Sequence, residues 1–341
     1  MNALELKKVS KSFSGFYLDN ISLTLPSGCI MGLIGENGAG KSTTIKLILG
    51  MLHKDSGTIT ILGACTNRLQ RFGQMNARKG STILKCVFFN REQRIGENGA
   101  GKSTTIKLIL DMLHKDGGTI TILGKDNEKD ISLTKEDVGV VMDDIGMPEC
   151  LTAKQIGKVM KHTFRNWNED EYDRLLQKLS LPDNKPFKDF SRGMKMKLGI
   201  AVALSHGAKL LLLDEPTSGL DPVVRDEVVD MFYDFTRDEN HSILISSHIV
   251  SDLERLCDYV AFLHKGKLLL CEEKDELLSE YGIIHCTVEQ LSALDKSSVK
   301  YKKETPYGAE VIVSRKDAPD GFKLSPISIE ELFVFMVKEA K

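Results

Sequence analysis

Residues 29–42 read CIMGLIGENGAGKS, and this stretch decides the fold of the chain. Its first six residues are apolar, which is typical of a strand buried on both faces of a sheet. The next eight fit the pattern G-x-x-x-x-G-K-S, and a helix is expected from Ser42 to about Leu52. A strand, a glycine-rich loop and a helix in this order cradle nucleotide phosphates. The stretch therefore predicts an α/β fold that binds ATP or GTP.

The glycine-rich loop supplies the candidate nucleotide-binding residues. Its glycines let the backbone wrap closely around phosphate oxygens, and the N–H groups at the start of the helix attract negative charge. We expect Lys41 to reach the β- and γ-phosphates and the Ser42 hydroxyl to ligate Mg²⁺. The candidate phosphate-loop residues are Gly35, Asn37, Gly38, Ala39, Gly40, Lys41, Ser42 and Thr43.

The same loop occurs twice, because residues 34–63 return almost unchanged at residues 95–124. Two of the 30 aligned positions differ, at a constant offset of 61 residues. The second loop carries Lys102 but follows NREQR, which is too polar to end a buried strand. A strand must aim the phosphate loop, so we expect Lys41 to be the working lysine. Residues 57–63 and 118–124 are equally suited to form the next strand.

The other motifs of a nucleotide hydrolase occur once. Four apolar residues precede Asp214, which suits a Mg²⁺ shell, and Glu215, which suits the general base for an attacking water. His248 follows an apolar strand pattern, as expected of a γ-phosphate sensor. Ser191 and Gly193 open a helix whose first amide groups are expected to face another phosphate. One set of these residues predicts one site rather than two.

Together these motifs resemble the ATP-binding subunit of an ABC transporter over about residues 4–282, leaving out the insertion. GENGAGKS resembles the Walker A loop, residues 210–215 Walker B, residues 218–221 the D-loop and His248 the switch histidine. FSRGM resembles the signature that caps the γ-phosphate bound to the opposite subunit, and the adenine-stacking position falls on Phe13. The sequences of residues 190–204 and of the C-terminal segment ISIEELF are most similar to those of the branch that serves ABC-2-type permeases, including antibiotic exporters.

The resemblance implies an ABC-type P-loop ATPase fold of the α/β class. It comprises a mixed sheet core with an antiparallel β subdomain, a helical subdomain and a small C-terminal α+β extension. It also implies Mg²⁺-dependent ATP hydrolysis in a homodimer or heterodimer, with each ATP between Lys41 of one subunit and Ser191 and Gly193 of the other. A separate transmembrane permease would hold the cytoplasmic protein on the inner face of the plasma membrane. Two positions depart from the family pattern: Asp143 aligns with the Q-loop glutamine, and Arg192 replaces the first signature glycine.

Four segments are predicted along the chain. Residues 1–63 form the N-terminal part of the ATPase, with antiparallel strands at residues 4–9 and 20–25. Residues 64–124 are an insertion or partial duplication, and residues 125–282 carry the helical subdomain, signature, Walker B and switch histidine. Residues 283–341 form the extension, which ends in a helix capped by Ser328 and Glu331. The apolar face predicted for that helix comprises Ile329, Leu332, Phe333 and Met336.

Composition narrows the function classes further. The chain has 46 Lys and Arg against 48 Asp and Glu, so its charge does not indicate a nucleic-acid partner. Its seven cysteines are scattered without a C-x-x-C pair, which favours reduced thiols. No apolar run approaches the ~20 residues that cross a bilayer. Two alternatives remain open at this point: a soluble non-transport ABC ATPase, or a catalytically impaired or regulatory paralogue.

Overall fold

The computed structural model describes residues 2–36, 38–49, 52, 54–61, 64–65, 121–122, 125–126, 136–142, 145–247, 249–294, 299–305, 308–319 and 321–339. The second phosphate loop, with Lys102, lies outside the described residues.

The strands of the described residues are numbered in chain order. They are β1 (Asn2–Phe13), β2 (Phe16–Pro26), β3 (Ile30–Gly35), β4 (Ser56–Ile61), β5 (Ala64–Cys65), β6 (Thr121–Ile122), β7 (Lys125–Asp126), β8 (Val138–Val141), β9 (Leu210–Asp214), β10 (Ser242–Ser247), β11 (Tyr259–His264), β12 (Lys267–Glu273), β13 (Tyr281–Cys286), β14 (Val299–Thr305), β15 (Gly308–Ser314) and β16 (Leu324–Ser325).

The helices are numbered in the same way. They are α1 (Lys41–Ile48), α2 (Ala153–Thr163), α3 (Glu169–Lys178), α4 (Arg192–Leu204), α5 (Pro222–Phe235), α6 (Val250–Leu256), α7 (Lys274–Glu280), α8 (Val288–Ala293) and α9 (Ile329–Glu339), with short 3₁₀ turns at Phe187–Asp189 and Arg315–Asp317.

The main sheet is mixed, with the order β5-β4-β1-β2-β12-β11-β3-β10-β9-β8 among the described strands. Strands β4, β1 and β2 pair antiparallel, as the alternating sequence predicts. Strands β11, β3, β10, β9 and β8 pair parallel. The carboxyl ends of parallel strands meet at one edge of a sheet, where α/β proteins bind ligands. This arrangement brings the ends of β3, β9 and β10 together.

The parallel strands are buried on both faces, which explains their continuous apolar sequences. In β3, Ile30 and Ile34 face one hydrophobic core, and Met31 and Leu33 face the other. Helix α1 packs into the second core through Ile45 and its neighbours, whereas α2 to α6 pack on the first. The central strand is therefore held from both sides just before the phosphate loop.

The structure distinguishes the two segments that were equally suited to form the strand after the phosphate-loop helix. Residues 56–61 form β4, which pairs with β1 from Leu4↔Ile61 to Ser10↔Ser56. Thr121–Ile122 of the second copy pairs with β7 in a separate two-stranded sheet. The first copy thus supplies both the phosphate loop after β3 and the strand beside β1. Helix α1 ends at Ile48, earlier than predicted, with Leu49 as its C-cap.

The C-terminal residues build a second sheet, in the order β14-β15-β13-β16. Helix α9 begins with the predicted capping box, because Ser328 and Glu331 each accept the other's backbone N–H. Phe333 packs edge-on against Phe262 of β11, with ring centroids 5.3 Å apart. No helix in the described part of the chain combines the length and apolarity that crossing a bilayer needs.

Candidate nucleotide site

The ends of β3 and β9 bring the predicted phosphate loop and the predicted carboxylates together. The Ser42 hydroxyl donates to Oδ1 of Asp214 at 2.9 Å, although the two residues lie 172 positions apart in sequence. Asp214 is the last residue of β9 and is 3% exposed. A second hydroxyl, that of Ser246 on β10, donates to the same oxygen at 2.6 Å. Asp214 is therefore oriented by two buried or half-buried hydroxyl groups.

The predicted general base lies next to the predicted phosphate-binding lysine. Oε1 of Glu215 is 3.9 Å from Nζ of Lys41. Glu215 has a positive φ of 54°, a backbone conformation that non-glycine residues rarely adopt, and its N–H donates to the Ser246 carbonyl at 3.0 Å. Backbone strain of this kind concentrates at functional sites. The turn after β9 thus directs the carboxylate towards the phosphate loop.

Lys41 is buried inside its own loop. Its side chain is 6% exposed, and its ammonium group donates to the carbonyl of Gly35 and, at 3.4 Å, to that of Glu36. Burial lowers the pKa of Lys41 from the ordinary lysine value, while the Glu215 and Asp214 carboxylates oppose that shift. Carbonyl oxygens are weak substitutes for phosphate oxygens as partners of an ammonium ion. An anionic phosphate is therefore a suitable ligand for this group.

The phosphate loop is braced by the turn between β11 and β12. The Gly266 N–H donates to the Ala39 carbonyl at 3.0 Å, and the Gly266 carbonyl accepts from the N–H of Asp19 on β2 at 2.8 Å. Gly266 has a φ of 81°, and a Cβ there would lie 1.9 Å from the carbonyl oxygen of Tyr17. Only glycine fits this position. The turn joins the loop to the antiparallel strands.

Phe13 is the last residue of β1 and is linked to the phosphate loop through Phe16. Its ring centroid is 6.3 Å from that of Phe16, and Lys11 lies 5.7 Å from the Phe13 ring. Phe16 in turn reaches the loop, because a Cβ on Gly40 would lie 3.1 Å from the tip of its ring. The half-buried Phe13 ring is therefore separated from the phosphate loop by Phe16, which contacts both.

Ser191 and Gly193 occupy the exposed start of α4. The Ser191 hydroxyl accepts from the N–H of Met194 at 3.2 Å, which is ordinary helix capping. Gly193 packs against the loop after Glu215, since a Cβ there would lie 3.2 Å from the carbonyl oxygen of Gly219. The aliphatic part of Arg192 lies against Gly219 as well. The signature and the D-loop therefore form one continuous surface.

Three predicted site positions, Asn37, Asp143 and His248, lie outside the described residues. Two further site residues were not predicted from sequence. Ser246 reads as part of an apolar strand, and His264 as an ordinary residue before a turn. The role of Ser246 becomes visible only from the strand register, because Ser246 on β10 pairs with Asp214 on the parallel strand β9.

The fold and the site define a P-loop nucleotide-binding protein. A family profile described as "ABC transporter" matches residues 18–93 and 90–218 of the chain. The first match contains Lys41, whereas the second contains Lys102, Asp214 and Glu215. Each copy of the loop is thus matched by the same profile, and the carboxylate pair is matched once.

Several characterised and uncharacterised transport proteins are similar in sequence. Lantibiotic transport ATP-binding protein SrtF of Streptococcus pyogenes is 38% identical over 275 residues, covering 80% of this chain and 91% of that protein. Bacitracin transport ATP-binding protein BcrA of Bacillus licheniformis is 37% identical over 74% of this chain and 63% of its own length. The uncharacterized ABC transporter ATP-binding protein YhcH of Bacillus subtilis is 29% identical, over 99% of this chain and 97% of that protein.

Solved structures confirm the predicted fold class. An ATP-binding subunit of an ABC transporter has a TM-score of 0.58 at 22% identity, covering 81% of this chain and 91% of that chain. A dimeric ATP-binding cassette in a post-hydrolysis state, bound to ADP and Pi, has a TM-score of 0.56 at 16% identity, covering 80% and 98%. At these identities the similarity shows the fold.

The chain belongs to the ABC transporter family, which confirms the resemblance read from its motifs. As a member of that family it is an ATP-binding protein that hydrolyses ATP. The relatives favour a transport ATPase over a soluble non-transport ATPase or a regulatory paralogue.

Proposed function

We propose that this chain powers a separate membrane permease that exports an antibiotic peptide. The observation that carries the enzymatic part is the meeting of Ser42 with Asp214 and of Lys41 with Glu215 at the carboxyl ends of β3 and β9, which flank β10 in the sheet. The cargo class rests on the relatives that transport lantibiotics and bacitracin. The permease would hold the ATPase on the cytoplasmic face of the membrane.

In this proposal the phosphate loop binds the ATP phosphates. Lys41 exchanges its contacts with the Gly35 and Glu36 carbonyls for the β- and γ-phosphate oxygens. The ammonium group then has negatively charged acceptors, which bind it more strongly than neutral carbonyls do. The N–H groups of residues 38–43, at the start of α1, surround the phosphate oxygens. The adenine stacks on Phe13, whose ring packs against Phe16 next to the loop.

The residues present also fit a magnesium ion. Mg²⁺ prefers oxygen ligands and is commonly held by one or two carboxylates together with phosphates. Ser42 and Asp214 supply a hydroxyl and a carboxylate that already lie 2.9 Å apart. When bound, the ion would neutralise charge on the β- and γ-phosphate oxygens. Ser42 and Asp214 are therefore the proposed metal ligands.

Glu215 is the proposed general base. Its carboxylate lies on the phosphate-loop side of β9 and is 15% exposed, so a water molecule can reach it. A carboxylate in this position accepts a proton as the water attacks the γ-phosphate. His248, one residue beyond β10, is proposed to sense that phosphate.

Ser191 and Gly193 are proposed to act on a second subunit. They lie at the exposed N-terminus of α4, where backbone N–H groups and the helix dipole favour an anion. In a head-to-tail dimer this end would cap ATP bound to Lys41 of the other subunit. A homodimer or a heterodimer with a related ATPase satisfies this geometry.

We also propose the domain division read from the sequence, with residues 1–63 and 125–282 forming the ATPase and residues 283–341 an extension. Residues 64–124 would be an insertion that the ATPase does not need. The support is that α1 and β4 come from the first copy, which directly continues β3.

The two lysines provide the test of the site. Lys41→Ala should reduce steady-state ATP hydrolysis by about 100-fold or more, because it removes a cation aimed at developing phosphate charge. Lys102→Ala is the matched control and should keep wild-type activity. Loss of activity in Lys102→Ala alone would show that the second copy forms the site. A Glu215→Gln protein that neither traps ATP nor dimerises with it would contradict the proposed dimer.

A further inference from the structure

His264 is a buried histidine beside the phosphate loop that the mechanism above does not use. It is the last residue of β11 and is 4% exposed. Within the described part of the chain, neither ring nitrogen has a hydrogen-bond partner. Its Nδ1 lies 3.5 Å from Oε2 of Glu36, which is too long for a hydrogen bond and within the range of an ion pair. A buried polar group in this condition calls for an explanation.

The backbone fixes His264 against the loop. Its neighbour Leu263 pairs with Gly35 in the parallel register of β11 and β3, so the two strands end side by side. Two residues later, the Gly266 N–H donates to the Ala39 carbonyl. The imidazole therefore sits on an element that holds the loop at both of its ends. It has little freedom to move away from Glu36.

Glu36 places a negative charge on a loop that binds an anion. Its carboxylate is more than half exposed, and its backbone carbonyl accepts from the ammonium group of Lys41. A carboxylate turned towards the cradle would repel the phosphates of ATP. With a proton on Nδ1, the ring presents a positive edge to Oε2 and draws the carboxylate to the outer side of the loop.

We propose that His264 is a positioning residue for ATP binding, which acts by holding the Glu36 carboxylate away from the phosphates. The inference rests on the proposed function, because it assigns the loop to ATP. It gives a role to a buried imidazole whose two ring nitrogens have no hydrogen-bond partner among the described residues. It also identifies Glu36 as the group through which His264 acts.

The test is a double-mutant cycle in the full chain, with steady-state kinetics in Mg²⁺ and ATP. His264→Phe should raise KM for ATP about two- to fivefold, a modest effect because Glu36 is partly screened by water, and should leave kcat within about twofold. His264→Asn should retain a KM near the wild-type value, since its amide nitrogen can take the place of Nδ1. In a Glu36→Gln background, His264→Phe should no longer change KM, because the charge that it compensates is gone.

Each other outcome has a defined meaning. An unchanged KM in His264→Phe overturns the inference. Additive effects of His264→Phe and Glu36→Gln also overturn it, because they show a packing role that does not pass through Glu36. If His264→Phe does not fold, His264→Asn and Glu36→Gln decide: a KM for Glu36→Gln above the wild-type value contradicts the proposal. Absence of ATP hydrolysis by the wild-type protein would instead refute the proposed function.

Discussion

The hydroxyl of Ser246 lies 2.6 Å from Oδ1 of Asp214 and donates a hydrogen bond to it. Both residues are buried, on neighbouring parallel strands that place them in register. The same oxygen accepts from Ser42, so β10 contributes to the orientation of the proposed metal ligand. From the sequence, this strand is connected with the site only through His248, which follows it, and the structure adds Ser246 within the strand.

Replacing Ser246 should impair the use of Mg²⁺. We expect Ser246→Ala to reduce kcat/KM about tenfold at limiting Mg²⁺, because a buried hydrogen bond to a charged carboxylate is lost. The measurement is ATPase activity as a function of Mg²⁺ concentration. Ser205→Ala is the matched control, since that buried hydroxyl donates to the Ala201 carbonyl at the end of α4. Equal losses in the two variants would mean that Ser246 contributes only to packing.

Gly266, in the turn between β11 and β12, should tolerate no larger residue without a loss of stability. We expect Gly266→Ala to lower the free energy of unfolding by about 2–4 kcal/mol, because it combines a positive φ with a backbone clash. Gly321 also has a positive φ, of 87°, but open space around it, so Gly321→Ala should cost about 1 kcal/mol. Urea unfolding of both variants measures the difference. Similar losses would show that the close approach to Tyr17 is relieved easily.

The lowered pKa of Lys41 predicts proton uptake when nucleotide binds. Burial favours the neutral amine in the free protein, whereas a bound phosphate favours the ammonium form. Between the lower free pKa and the higher bound pKa, at alkaline pH, binding should therefore take up protons. Calorimetry with a non-hydrolysable ATP analogue in buffers of different ionisation enthalpy measures this uptake. It should vanish in Lys41→Arg, whose guanidinium stays charged; uptake that persists there arises from another group.

Deleting residues 64–124 should leave the ATPase working. The deletion joins Gly63 to Lys125, repeating the Gly124–Lys125 junction of the natural chain. Because β3, α1 and β4 remain, we expect ATP hydrolysis within about twofold of the wild-type rate and no loss of thermal stability. Deleting residues 34–94 gives a chain of nearly the same sequence and serves as the control. Loss of ATP hydrolysis after the deletion of residues 64–124 would contradict the proposed division, whereas a difference between the two deletions would reflect only Gly50 and Ser56, which Asp111 and Gly117 replace in the second.

The sequence predicts the main strands and the loop well, because the constraints there are local. A short apolar run such as residues 29–34 fits a buried strand or a buried helix, and the glycine-rich loop that follows it favours the strand. Ser246 and His264 escape prediction because their roles depend on neighbours far along the chain. A serine inside SILISS carries no sign that Asp214 lies beside it.

Helix α9 shows a second limit of sequence reading. Ile329 and Leu332 are fully buried as predicted, but Phe335 is more buried than Phe333 or Met336. The prediction of a single apolar face assumed that the helix packs against one surface. This helix has two, since Phe333 meets Phe262 of the main sheet and Phe335 lies 5.5 Å from Tyr301 of β14.

The pairing of β4 with β1 separates two stretches of identical sequence. The letters TITI occur at residues 58–61 and again at residues 119–122, yet the two copies join different sheets. The same four residue types therefore pair differently, according to the strands that precede them in the chain. A strand partner earlier in the chain, rather than the four residues themselves, decides which of the two stretches enters the main sheet.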